Sequence, residues 1–148
     1  MSGLNLIKLC VGAESVEDHK AWIAHRMEQR RASGEDPRPR HTTRMRPKRA
    51  DELLDGGSLY WVTKGYVTHR QLIENLQETT GDDGIRRCNI ILKPEVILVQ
   101  TRFKRPFQGW RYLTAEDAPP DLKNQGRKAI NLPPHLATEL DSIGVVAV

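Results

Sequence analysis

Hydrophobic and polar positions change their period several times along the chain. Leu4–Val11 is apolar on both alternating sets: Leu4, Leu6, Lys8 and Cys10 on one side, Asn5, Ile7, Leu9 and Val11 on the other. That pattern predicts a strand covered on both faces. Ser15 to Asp18 then has the form of a capping box, with Ser15 as N-cap. Val16, Ile23 and Met27, with Trp22 beside them, predict the apolar stripe of a helix from about Val16 to Ser33, stopped by Gly34.

Pro37 and Pro39 punctuate a loop over Glu35–Arg40. His41–Arg46 reads as a short strand ending before Pro47, and Arg49–Leu54 as a short helix closed by Gly56-Gly57. Leu59–Thr63 is the clearest strand. After Gly65 a second extended run covers Tyr66–Leu76, and pattern leaves open whether it turns helical after His69. Thr79–Gly84 is a turn cluster. Cys88–Leu92 and Val96–Phe103 read as strands, and Lys93-Pro94-Glu95 between them suits a hairpin-like connection. Pro106–Tyr112 continues irregularly toward another strand, and Ala118-Pro119-Pro120 marks a loop. Asn131, with Pro133 and Pro134, opens a short C-terminal helix carrying Leu136, Leu140 and Ile143 and stopped by Gly144. No repeat or low-complexity tract divides residues 1–148, so a single domain is expected. Strands clustered without regular helical crossovers predict an α+β fold with a mainly antiparallel, barrel-like sheet, an N-terminal helix and a short C-terminal helix.

Composition narrows the class. Hydrophobic residues make up 38% of the chain, enough for a packed core, and no apolar run is long enough to span a membrane. Met1–Gly12 is too weakly apolar for a signal peptide, so the expected location is the cytoplasm. Cys10 and Cys88 sit in apolar runs and read as buried thiols. Neither has a CxxC partner or a nearby histidine at ligand spacing, so neither a metal nor a cofactor is expected.

Charge changes the picture more than composition does. Arg26–Arg49 holds nine basic residues against Glu28, Glu35 and Asp36, a net +6. Arg102–Tyr112 holds four more and no acid, so with a net charge of +4 overall the remainder of the chain carries −6. Local concentration of one sign steers and holds polyanions.

Three constellations follow. Arg44, Arg46, Lys48 and Arg49 flank Pro47, and guanidinium groups grip phosphate in a bidentate way. Arg102, Arg105, Phe107, Gln108, Trp110 and Arg111, with Phe103, Lys104 and Tyr112, hold four of the chain's eight aromatics in eleven residues. Cations interleaved with rings suit single-stranded nucleic acid; the same rings also serve as core anchors. Gly56-Gly57 precede a strand bearing Tyr60 and Trp61 on opposite faces and ending in Lys64, and they lack phosphate-loop spacing. The five histidines are scattered, with neither an HxxxH pair nor HExxH, and read as structural or surface residues.

The stretches Leu6–Gly12, Thr43–Val62 and Arg105–Leu113 resemble an uncharacterised alphaproteobacterial family of domains of unknown function of about this length. The resemblance implies no activity and no catalytic residue. The order of strand, helix, basic stretch, short helix, glycine turn and strand ending in Lys64-Gly65 is similar to PUA-like domains and their EVE and ASCH relatives. In those a β-barrel holds RNA or a modified base. The expected function is binding of RNA or another polyanion through Arg44, Arg46, Lys48, Arg49, Lys64, Arg102, Arg105 and Arg111, with Trp61, Phe107 or Trp110 stacking on a base beside Gln108. A small enzyme clamping a nucleotide or phosphorylated substrate, and an adaptor for an acidic protein, are the alternatives.

Overall fold

The computed structural model describes residues 3–122; the expected C-terminal helix lies outside the described residues. The elements are β1 (Asn5–Leu9), α1 (Val16–Ala32), β2 (Arg40–Thr43), α2 (Ala50–Leu53), β3 (Ser58–Thr63), β4 (Tyr66–Thr80), β5 (Arg86–Leu92), β6 (Ile97–Phe103) and β7 (Trp110–Leu113). The strands order as β2-β5-β4-β3-β1-β7, with β6 also paired to β4. The fold is α+β, as expected, but the sheet is mixed. β1 and β3 run parallel, because the crossover through α1, β2 and α2 carries the chain back to the end at which β1 starts, while the other pairings are antiparallel. Nor is it closed into a barrel: β2 and β7 end the order and do not pair with each other.

One further expectation is corrected. Lys93-Pro94-Glu95 does not close a hairpin. β5 pairs with Ile73–Thr80 of β4 and β6 pairs with Tyr66–Arg70, so the two strands share one long partner. β4 stays extended past His69 because its alternating burial continues to Ile73. Lys64 and Gly65, with φ of 48° and 85°, make the tight turn between β3 and β4.

β3 is buried along its whole length because β1 and β4 flank it and both its faces are covered. Leu59 and Trp61 face a cluster with Leu4, Leu6, Leu53, Ile90 and Leu92, while Tyr60 and Val62 face a second cluster with Ile7, Val67, Val99 and Leu113. Each fully buried leucine here contributes about 1.5–3 kcal/mol. Gly57 is required where α2 meets β3, since a Cβ there would lie 2.5 Å from the carbonyl oxygens of Leu4 and Leu53.

α1 follows a different logic. Ser15 caps it as expected, its side chain accepting from the Asp18 N–H at 3.1 Å. The residues it buries, however, are His19, Ile23 and Arg30, and neither hydrophobic cluster draws a residue from it. Trp22, placed beside the apolar stripe by the sequence pattern, is 57% exposed. It stands about 100° around the helix from Ile23, off the buried face. A helix that meets the sheet through polar side chains does not close down on it, and a cleft remains.

Candidate functional site

The cleft has a volume of about 1010 Å³ and is walled by the end of β1, the inner side of α1, β2 and the β4–β5 hairpin. Its floor follows from strand register. Trp110 of β7, Lys8 of β1, Trp61 of β3 and His69 of β4 are direct neighbours in adjacent strands and so share one face of the sheet. α1 reaches this row through His19, whose Nδ1 shares a 2.8 Å hydrogen bond with His69 Nε2. The chain of contacts goes on from His69 Nδ1 to Thr68 Oγ1 at 2.8 Å and to Thr63 Oγ1 at 2.9 Å.

Trp61 is held rather than free. Its Nε1 donates to Gln71 Oε1 at 3.0 Å, and Gln71 Nε2 donates to the Lys93 carbonyl at 2.9 Å. His19 and His41 stand edge-on to the indole at ring-centroid distances of 4.7 and 6.1 Å. Burial pushes His19 and His41 down to about 4 and His69 to about 3; Lys8 adds to the effect on His41, and His19 and Lys20 to that on His69. All three rings are therefore neutral at pH 7. Burial also lowers the Lys8 ammonium and raises the Cys10 thiol to about 11, against the pull of each on the other. Cys10 is an inert wall of the cleft, and Cys88 is fully buried.

The first basic segment adjoins this cleft. Arg40, His41 and Thr42 line it, and the chain then emerges as Arg44, Arg46 and Lys48, all exposed. Two side chains of β7 hold the loop in place: Trp110 Nε1 donates to the Met45 carbonyl at 2.8 Å, and the Arg49 N–H donates to Tyr112 Oη at 3.1 Å. Arg49 itself forks onto Glu52 with two 2.6 Å contacts.

The second basic segment divides at β7. Trp110 and Tyr112 pack on the cleft side, whereas Phe107 packs against the Tyr60 cluster. The Arg111 guanidinium lies 5.3 Å and the Lys104 ammonium 5.7 Å from the centre of the Phe107 ring. Arg102 is exposed and donates to the Asp117 carbonyl at 2.8 Å; Arg105 and Gln108 are exposed as well. Lys64 is at the β3–β4 turn, 3.5 Å from Glu14. The two basic segments thus meet through Trp110 and Tyr112, while Arg111 and Lys104 gather around Phe107 on the other side.

Sequence reasoning missed the cleft's own residues. His19, His41 and His69 come from α1, β2 and β4, and their separation along the chain gave no spacing signal. Trp22 stands at the mouth with the Arg26 guanidinium 5.5 Å from its ring centre and His25 6.5 Å away. A helical-wheel reading of α1 carried that signal. Among the described residues no group of three or more His, Cys, Asp or Glu is placed to hold a metal ion, and no helix is long and apolar enough to cross a membrane.

A family model described as Protein of unknown function (DUF1489) matches residues 6–146. No curated protein and no solved structure matches the chain.

Proposed function

The chain belongs to the DUF1489 family of proteins of unknown function, and from its own residues we propose that it is a cytoplasmic module that binds single-stranded RNA, with one unpaired base at the mouth of the cleft. The observation that carries this reading is Trp22, a large ring left 57% exposed on the lip of a cavity lined with arginine and lysine. An exposed ring stacks on any unpaired base for about 1–3 kcal/mol, while cations hold the backbone. Arg44, Arg46 and Lys48 take the neighbouring phosphates, on a loop that Trp110 and Tyr112 fix against the cleft. Arg102, Lys104, Arg105 and Arg111, around Phe107, add to the attraction at longer range. In this reading the open sheet takes the part that the barrel plays in PUA-like domains, and the cleft beside it receives a base or modified base.

Fluorescence anisotropy with labelled oligoribonucleotides tests the proposal. Affinity for single strands is expected to fall steeply and linearly on a log–log plot against salt. Trp22→Ala is expected to weaken single-strand binding by roughly 5- to 150-fold. Weak, salt-insensitive binding, or a Trp22→Ala variant that binds as the parent does, contradicts it.

A second reading has its own support. The His19–His69–Thr68 chain fixes a neutral imidazole in the wall of the cleft, a position that an enzyme acting on a nucleotide or phosphorylated substrate uses for a base. Thermal stabilisation by nucleotides but not by RNA favours that reading.

A further inference from the structure

Four cations of the cleft, Lys8, Arg26, Arg30 and Arg40, have no carboxylate within ion-pair distance among the described residues. Three of them form a cluster. Arg30 is only 9% exposed, and its NH1 reaches the Arg38 carbonyl at 3.4 Å. Arg40 and Arg26 both disfavour its charged form, after burial itself, while Glu35 and Asp36 oppose them. Asp36 is already engaged, because Arg38 takes both its carboxylate oxygens at 2.6–3.1 Å.

Arg40 carries the sharper signal. Its NH2 donates to the Asp36 carbonyl at 2.9 Å, which fixes the guanidinium, yet its Nε is buried with no hydrogen-bond partner. A buried donor without an acceptor costs free energy, and so does bringing like charges together out of water. Neither cost helps the fold. The repulsion among the three guanidinium groups is relieved by one oxyanion placed among them.

Charge and distance select the anion. Three guanidinium groups around one cavity suit a dianion, and a phosphomonoester carries about −1.5 to −2 at pH 7 whereas a diester carries a single charge. Trp22 and Arg26 are four residues apart on α1, about 6 Å along the axis, a span similar to that between the base and phosphate of one nucleotide.

We propose that Arg26, Arg30 and Arg40 form a phosphomonoester subsite, so that the cleft takes a nucleotide bearing a terminal phosphate. The source is a phosphorylated RNA end or a free nucleoside monophosphate. Placing the base against Trp22 rests on the RNA reading above; the phosphate site stands on the arginine cluster.

Calorimetric titration separates the possibilities. The ligands are short single-stranded RNAs ending in 5′-phosphate, 3′-phosphate or hydroxyl, together with AMP and inorganic phosphate. For the parent protein, one phosphorylated end is expected to bind about tenfold more tightly than the hydroxyl end. Arg40→Gln is expected to reduce that preference to within about twofold, to retain binding of hydroxyl-ended RNA, and to melt no lower than the parent in the absence of ligand. Should Arg40→Gln fail to fold, Arg40→Lys keeps the charge without the fixed Nε–H, and it too is expected to lose most of the preference. Equal binding of phosphorylated and hydroxyl-ended RNA overturns the subsite and leaves the RNA reading standing. Tight AMP binding that Arg40→Gln abolishes, with no RNA binding, supports the subsite and overturns the RNA reading. Full preference retained in Arg40→Lys overturns the proposal.

Discussion

Acidification should loosen α1 through the His19–His69 pair, and replacing His69 with glutamine isolates the effect. In the unfolded chain both imidazoles take their ordinary value of about 6.5. In the folded protein burial holds His19 at about 4 and His69 at about 3, and the two rings share a 2.8 Å contact. A group depressed in this way stays neutral in the fold while the unfolded chain takes up a proton. Stability is therefore full above about pH 6.5 and falls as pH drops toward the folded values. At pH 5 the unfolded state has gained about 1.36 kcal/mol for each of 1.5 pH units, close to 2 kcal/mol per histidine and about 4 kcal/mol for the pair. The paired carboxylates do not obscure this, because Asp36 and Asp121 are held below their usual range and are ionised in both states down to pH 5. Urea unfolding at pH 7.5 and pH 5 measures the difference. The parent protein should lose about 4 kcal/mol from the pair, with His41 adding to it, and His69→Gln should lose about 2 kcal/mol less over the same interval. Equal stability of the parent at the two pH values, or a variant with the parent's pH dependence, refutes the reasoning.

Other outcomes follow from single contacts. Trp61→Phe strips Gln71 Oε1 of its 3.0 Å donor in a buried setting and should cost about 1–3 kcal/mol in urea unfolding. Gly57→Ala drives a Cβ to 2.5 Å from two backbone carbonyl oxygens, and a destabilisation of about 3 kcal/mol is expected in the same assay; a loss below 1 kcal/mol would mean that the α2–β3 turn yields. Trp110→Phe removes the 2.8 Å bond to the Met45 carbonyl. Trypsin should then cleave after Arg44 faster than in the parent, at unchanged global stability, and unaltered cleavage would show that Trp110 does not hold the loop.

Legibility in the sequence followed how locally each element is determined. β1, β3 and the capped start of α1 were readable because apolar runs and the Ser15 hydroxyl act within a few residues. The partner of β5 was not readable. Whether Cys88–Leu92 turns back on Val96–Phe103 or lies along β4 depends on a distant strand long enough to serve both. α1 misled for a related reason. Its buried face carries His19 and Arg30, and only the cleft explains why polar side chains turn inward there. Arg44, Arg46 and Lys48 were legible as a charged group, since charge density needs no fold to be counted. The histidines were not, because β2, β4 and α1 bring His41, His69 and His19 around Trp61 from separate parts of the chain. Trp61 was read as a stacking ring and instead forms the cleft floor with its N–H committed to Gln71, while Trp22 holds the exposed position.

The claim that RNA enters at Trp22 and leaves along Arg44–Lys48 is tested most directly by photocrosslinking. Single-stranded RNA containing 4-thiouridine is irradiated with the protein and the crosslinked peptides are mapped by mass spectrometry. Crosslinks are expected on Trp22 or His25 and on the Arg40–Arg46 stretch, and they should be lost with Trp22→Ala. Crosslinks confined to the Arg102–Arg111 region around Phe107, or none above a duplex control, would contradict the account.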